Sequence, residues 1–197
     1  IPAGPSTVEQ VANVAAMMYA RHRQQQLDTE LFIPRGITMQ QYYGSMQQML
    51  PQLVGAIDQY MLGFNYGTDF LLAGVDDGGA HLFSLSNPGG AASDLEMVGF
   101  HAIGSGFLHA LQSMIGFAHT PHRTLQETVF AVFASKRRAE VAPGVGKETD
   151  MLIVQSSGIT HLDAPVLAQL EALFQQTQRP VSAEIREQVE ALPLGEE

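Results

Sequence analysis

Residues 69–106, DFLLAGVDDGGAHLFSLSNPGGAASDLEMVGFHAIGSG, constrain the fold more than any other stretch. Phe70-Leu71-Leu72-Ala73-Gly74-Val75 is a short apolar run without helical period, and residues 81–86 alternate imperfectly with period two. Between them stands Asp76-Asp77-Gly78-Gly79, whose glycines supply the positive φ of a tight hairpin turn. The spacing therefore predicts two antiparallel strands in a hairpin. A second glycine-rich turn at Asn87-Pro88-Gly89-Gly90, a third strand, and a glycine-flanked Ser105 opening a helix complete the stretch.

The flanks read as helices. Ser6-Thr7-Val8-Glu9 has the form of a capping box, and Val11, Val14, Ala15, Met18 and His22 follow at helical spacing, so a helix is predicted over residues 7–26. Ile33-Pro34-Arg35-Gly36 breaks a loop over 27–36. Helical period returns over 38–62 with a Met and Tyr stripe that suits a core or a subunit interface, and Pro51 starts a new segment or kinks a long one. After a helix over 106–117, Thr124-Leu125-Gln126-Glu127 is a second capping box, opening a helix to about Arg138 with Lys136-Arg137-Arg138 at its negative end. Residues 142–146, Ala-Pro-Gly-Val-Gly, force a loop. A buried strand over 150–155 and amphipathic helices over 162–176 and 182–192 are predicted beyond it. One domain over 1–197, with 162–197 as a helical tail, suits this length.

Composition removes several function classes. Ten Lys and Arg against twenty Asp and Glu give a formal charge of -10, the wrong sign for a phosphate backbone, so nucleic acid is a poor partner. No cysteine is present for a disulfide, a thiolate zinc site or a thiol nucleophile. The apolar runs are too short to span a bilayer and the first residues carry no signal-peptide pattern; a cytoplasmic protein without membrane partners is expected.

The order of Ala73-Gly74-Val75-Asp76, His81-Leu82-Phe83-Ser84 and Ile103-Gly104-Ser105-Gly106, with two helices before and two after, resembles the core of proteasome β subunits and of bacterial HslV-type peptidases. That resemblance implies an α+β fold, the four-layer αββα sandwich of the N-terminal-nucleophile hydrolases. Ala3-Gly4 followed by small residues is similar to the join between that family's early strands and its first helix, which implies that the early strands are missing from this chain. It also implies a threonine-type peptidase in a homo-oligomeric ring or spiral, acting on polypeptide substrates, with a possible ATP-dependent unfoldase as partner and no cofactor. The family's terminal Thr, with its nearby Asp and Lys, falls in the missing segment, so catalysis by this chain as it stands is not expected.

Two family positions carry over. Gly4 matches the glycine whose N–H faces the developing oxyanion, a donor worth about 3 kcal/mol in such sites, or else is a plain loop glycine. Ser105 matches the serine that hydrogen-bonds near the terminal amine, or else caps the next helix. The family's Asp-x-x-Ser-Gly-Gly is reduced here to the glycine turn of 142–146, with Glu140 as a weak stand-in. A non-catalytic structural or assembly subunit of the same fold is the alternative, and an unrelated α/β binding protein a third. Other candidates read as structure: His119 and His122 as exposed loop residues, His101 and His109 as packing residues, Thr7 as a helix start, 87–90 as a turn without P-loop chemistry, and Ser156-Ser157-Gly158 as no nucleophile elbow.

Sandwich strands are apolar on their inner faces, so the absent strands are expected to be supplied physically or covered by oligomer contacts. Intact mass and N-terminal sequencing of purified material check this; a stable, monodisperse monomer of 21.3 kDa would contradict it.

Overall fold

A computed structural model describes residues 7–177, so Gly4 and the expected helix over 182–192 lie outside the described residues. The architecture is mixed α and β with small antiparallel sheets. Helices α1 (Val8–Leu27), α2 (Met39–Ser45) and α3 (Pro51–Gly63) precede strands β1 (Phe70–Asp76), β2 (Gly79–Leu85) and β3 (Ser93–Asp94). Helices α4 (Phe107–Gly116) and α5 (Leu125–Ala139) follow, then strands β4 (Leu152–Gln155) and β5 (Gly158–His161) and helix α6 (Ala164–Thr177). One sheet has the order β1-β2-β3 and the other is the β4-β5 hairpin, a strand pair that the periodicity did not reveal beyond β4.

The β1–β2 hairpin forms where its turn chemistry requires, with Asp76 opposite Gly79 and Leu72 opposite Phe83. That register puts Leu72, Gly74, Asp76, His81, Phe83 and Leu85 on one face and Leu71, Ala73 and Leu82 on the other. Helix α1 covers the first face. Contact is close because Gly74 has no side chain: a Cβ there would lie 2.7 Å from Val8 Cγ2. At the second turn Gly89, at φ +83°, passes so near α1 that a Cβ would lie 2.5 Å from Tyr19 and 2.9 Å from the Ala20 nitrogen. Gly90 N–H donates to Ala16 O at 3.1 Å, and Arg23 Nε to Asn87 Oδ1 at 2.9 Å.

This close fit decides which face of α1 is buried. Ala12, Ala16 and Tyr19 are buried, while Val11, Val14 and Met18 are exposed. Small residues let the helix backbone approach the sheet, so the small-residue stripe packs inward in preference to the larger one. The N-cap is Thr7, whose hydroxyl accepts from Gln10 N–H at 3.2 Å, one residue later than the capping-box reading placed it.

Helix α1 does not stop at a loop. It runs through a π-helical turn, Asp28–Phe32, and a 3-10 turn, Ile33–Arg35, to Gly36 at φ +71°. Leu31 and Phe32 thereby enter a core with Tyr42 of α2 and Ile57 of α3, against which Met39, Met49, Val54 and Met61 pack. Pro51 sits at the start of α3, where its missing N–H costs nothing. The Tyr42 hydroxyl donates to Asp58 Oδ1 at 2.9 Å; burial, then that carboxylate, push its pKa up to about 12. Part of the Met and Tyr stripe faces out, with Tyr43, Leu50, Leu53 and Tyr60 exposed.

The third strand is cut to two residues. Leu95 N–H still pairs with Leu82 O, but Val98 and Gly99 N–H both turn back onto Leu95 O, and Gly99 at φ +77° leads the chain away from β2. Residues 99–103 cross toward the α4–α5 connection. A Cβ on Gly99 would lie 2.7 Å from Pro121, and Phe100 meets His119 edge to face. The second core joins Phe133 and Ala134 of α5 to Leu170 and Phe174 of α6. Strand β4, expected to be buried, has Leu152 and Val154 exposed; it approaches β1 without ladder pairing.

Phe32 is fully enclosed. Phe32→Ala is expected to cost about 3–5 kcal/mol and Tyr42→Phe about 1 kcal/mol of stability by urea unfolding. Near-neutral Phe32→Ala would contradict the assigned core.

Candidate functional site

The outer face of the first sheet does not meet α4 and α5 directly. Between them lies a cleft of about 830 Å³, floored by Leu71, Ala73 and Leu82 and walled by Met114 of α4 and Val132 and Ala139 of α5. Residues 99–107 and the loop 144–146 form its rim.

Ser105 stands on that rim, exposed, in a turn made by its two glycines. Gly104 takes φ +89°, a conformation other residues adopt at a cost, and its carbonyl accepts from Phe107 N–H at 3.1 Å. Gly106 is the N-cap of α4 and is buried; a Cβ there would lie 2.9 Å from Val145 Cγ2, 3.0 Å from Ala139 Cβ and 3.1 Å from Ala139 O. Hence one glycine is required by backbone angle and the other by lack of room. Ser105 is not itself the helix cap. A Cβ on Gly144 would lie 3.6 Å from Ser105 Oγ, so the Gly-Ser-Gly turn and the glycine turn after α5 come together. Gly4, the other residue singled out, lies outside the described residues.

Glu140 is committed elsewhere. It bonds Lys136 Nζ and Arg137 at 2.7 Å each, and Lys136 also donates to Gly146 O at 2.9 Å. Burial raises the Glu140 pKa, but Lys136 and Arg137 outweigh it and hold the carboxyl below the usual range. Arg137 continues the network to Glu171 of α6 at 2.8 Å. These pairs tie the end of α5 to the glycine turn.

Two polar side chains sit deep in the cleft. Ser135 is 3 % exposed, and its Oγ has no hydrogen-bond partner among the described residues. His119, 9 % exposed, is buried where an exposed loop residue was expected. Ala118 at φ +48° turns the chain back at the end of α4, and burial, with Arg123 nearby, lowers the His119 pKa and favours the neutral ring. His122, His101 and His109 are exposed, so the last two are not the packing residues their positions implied.

A second cluster escaped the sequence reading. Asp76 Oδ2 accepts the first N–H of α1, from Val8, at 2.9 Å, and Oδ1 accepts from Gly78 N–H at 2.8 Å and from His81 Nε2 at 2.8 Å. Glu96 Oε1 takes the other ring nitrogen of His81. The backbone N–H of Val8, then His81 and Gly78, hold the Asp76 pKa down to about 2. The signal was present in the register: a two-residue turn puts Asp76 and His81 on one face, and continuing the β2–β3 pairing puts Glu96 opposite His81.

Another cavity, of about 610 Å³, lies between α1 and β1, lined by Met18, Tyr19, His22, Tyr66 and Phe70. Among the described residues no group of three or more His, Asp or Glu is placed to hold a metal ion, and no helix is long and apolar enough to cross a membrane. No family model matches the chain, and no curated protein matches it.

Gly106→Ala is expected to destabilise the protein by about 1–3 kcal/mol, because its methyl group must displace Val145 and the α5 backbone. An unchanged urea midpoint would show that the turn is not packed as described.

Proposed function

We propose that this chain is a proteasome-like subunit of the N-terminal-nucleophile hydrolase fold, acting in a self-compartmentalised threonine-type peptidase. The observation that carries this reading is the meeting of Ser105 with Gly144 at the mouth of an apolar cleft between a sheet and a helix pair. In a four-layer αββα sandwich that cleft is the space of the second sheet. The β4–β5 hairpin, which runs beside β1 without ladder pairing, would be its only part among the described residues. Residues 100–103 carry no ladder pairing either, leaving their N–H and C=O groups open to an added strand.

The chemistry divides accordingly. Nucleophile and base, the hydroxyl and amine of a terminal threonine, come from polypeptide outside the described residues; an amine titrating near neutrality can take the hydroxyl proton at working pH. This chain contributes the Ser105 turn that receives that terminus and the apolar walls that exclude water. Gly4 N–H supplies the oxyanion donor.

A second reading, a non-catalytic structural or assembly subunit of the same fold, is favoured by one observation. Glu140, the acidic stand-in before the glycine turn, is already committed to Lys136 and Arg137.

Native material separates the two. Purified with whatever polypeptide accompanies it, the protein is expected to form a ring- or spiral-sized particle that hydrolyses a fluorogenic peptide and is silenced by a peptidyl epoxyketone. Such a particle without epoxyketone-sensitive hydrolysis would establish the second reading; a monomer without hydrolysis would remove both.

A further inference from the structure

We propose that Asp76, His81 and Glu96 form a proton-dependent clasp, fastening the start of α1 and the chain leading to Ser105 onto the tip of the first hairpin. The inference is independent of any peptidase activity. It rests on a count of protons. His81 has a carboxylate oxygen on each ring nitrogen, Asp76 Oδ1 at 2.8 Å on Nε2 and Glu96 Oε1 on Nδ1. A neutral imidazole carries one N–H and could donate to only one of them, leaving its bare nitrogen against a negative oxygen. The imidazolium donates to both.

The surroundings favour that charged form. The His81 ring lies nearly parallel to Phe83, at 14° and 6.4 Å between centroids, and its side chain is 16 % exposed. The titratable groups facing it are Asp76 from β1 and Glu96 from the turn after β3. Asp94, near Glu96, accepts Glu96 N–H at 2.8 Å. Helix α1 presents the Val8 N–H to Asp76, and its first-turn Glu9, like Asp77 in the hairpin turn, is exposed. Two carboxylates therefore bracket the ring, and Glu96, then Asp76, raise its pKa above the ordinary histidine value.

Each half of the clasp opens at a different end of the pH scale. Because the folded His81 pKa is raised, its contribution is complete below the ordinary imidazole pKa and is lost as pH rises through the raised value. Glu96, the more exposed carboxylate, then leaves, and residues 96–98 lose the side-chain link that holds them to β2. Because the Asp76 pKa is depressed, its contribution is complete above the ordinary carboxyl pKa and is lost as pH falls toward about 2, releasing Val8. Between the ordinary carboxyl and imidazole pKa values both links are closed.

Nitrogen-detected NMR of the His81 ring in the full chain tests this. The expected result at pH 6 is two protonated ring nitrogens, with a titration midpoint above that of free histidine, shifted down in both Glu96→Gln and Asp76→Asn. Hydrogen exchange at residues 96–98, corrected for its intrinsic pH dependence, is expected to lose protection over the same titration while β1 and β2 keep theirs. A neutral tautomer at pH 6, a midpoint unmoved by Glu96→Gln, or protection at 96–98 that ignores the titration would each overturn the clasp. Should Asp76→Asn not fold, the wild type and Glu96→Gln decide the matter.

Discussion

Helix α1 lies against the first hairpin only because side chains are small or absent where the two meet. Gly74 admits Val8, Gly89 admits Tyr19 and the Ala20 backbone, and Ala12 and Ala16 complete the flat face. The contact is then fixed at one end by Asp76 accepting the first N–H of the helix, a position where the helix dipole also favours negative charge. Once α1 occupies that face, the direction of the other is settled: Leu71, Ala73 and Leu82 must look toward α4 and α5.

The outer face is where the described residues stop short of a complete core. Phe32 with Tyr42 and Phe133 with Phe174 form two separate buried clusters, neither of which reaches under the outer face of the sheet. Leu71, Leu152, Val154 and Ile159 remain exposed. Soluble monomers seldom expose contiguous apolar patches beyond roughly a few hundred Å², so a cleft with this floor is better understood as a seat for further polypeptide than as a finished surface. The unpartnered Ser135 hydroxyl suits the same view, since an occupant with backbone amides could satisfy it.

Local signals were legible in the sequence. Turn glycines located β1 and β2, Thr124 and Glu127 located α5, and Pro51 located the start of α3, because each acts within a few residues of itself. What depended on partners was not. The helical spacing of Val11, Val14 and Met18 predicted α1 but not the side it buries, and closeness to the sheet selected the alanines. A third strand was expected between the second glycine turn and Ser105, but a strand needs a neighbour, and beyond Leu95 the segment settled on Pro121 and His119. At the site, the glycines around Ser105 and the turn of 142–146 were visible as motifs, and the structure brought them together. Ser135 and His119 gave no sign, since burial in the cleft arises only when α4 and α5 face the hairpin.

The central claim is that the cleft beside Ser105 is a seat for an added strand or extended peptide. Hydrogen exchange at the amides of residues 100–103 measures this most directly, in the isolated chain and in the proposed assembly. The account predicts fast exchange in the isolated chain and strong protection in the assembly, as ladder pairing forms. Equal exchange in both, or protection already present in the isolated chain, would contradict it.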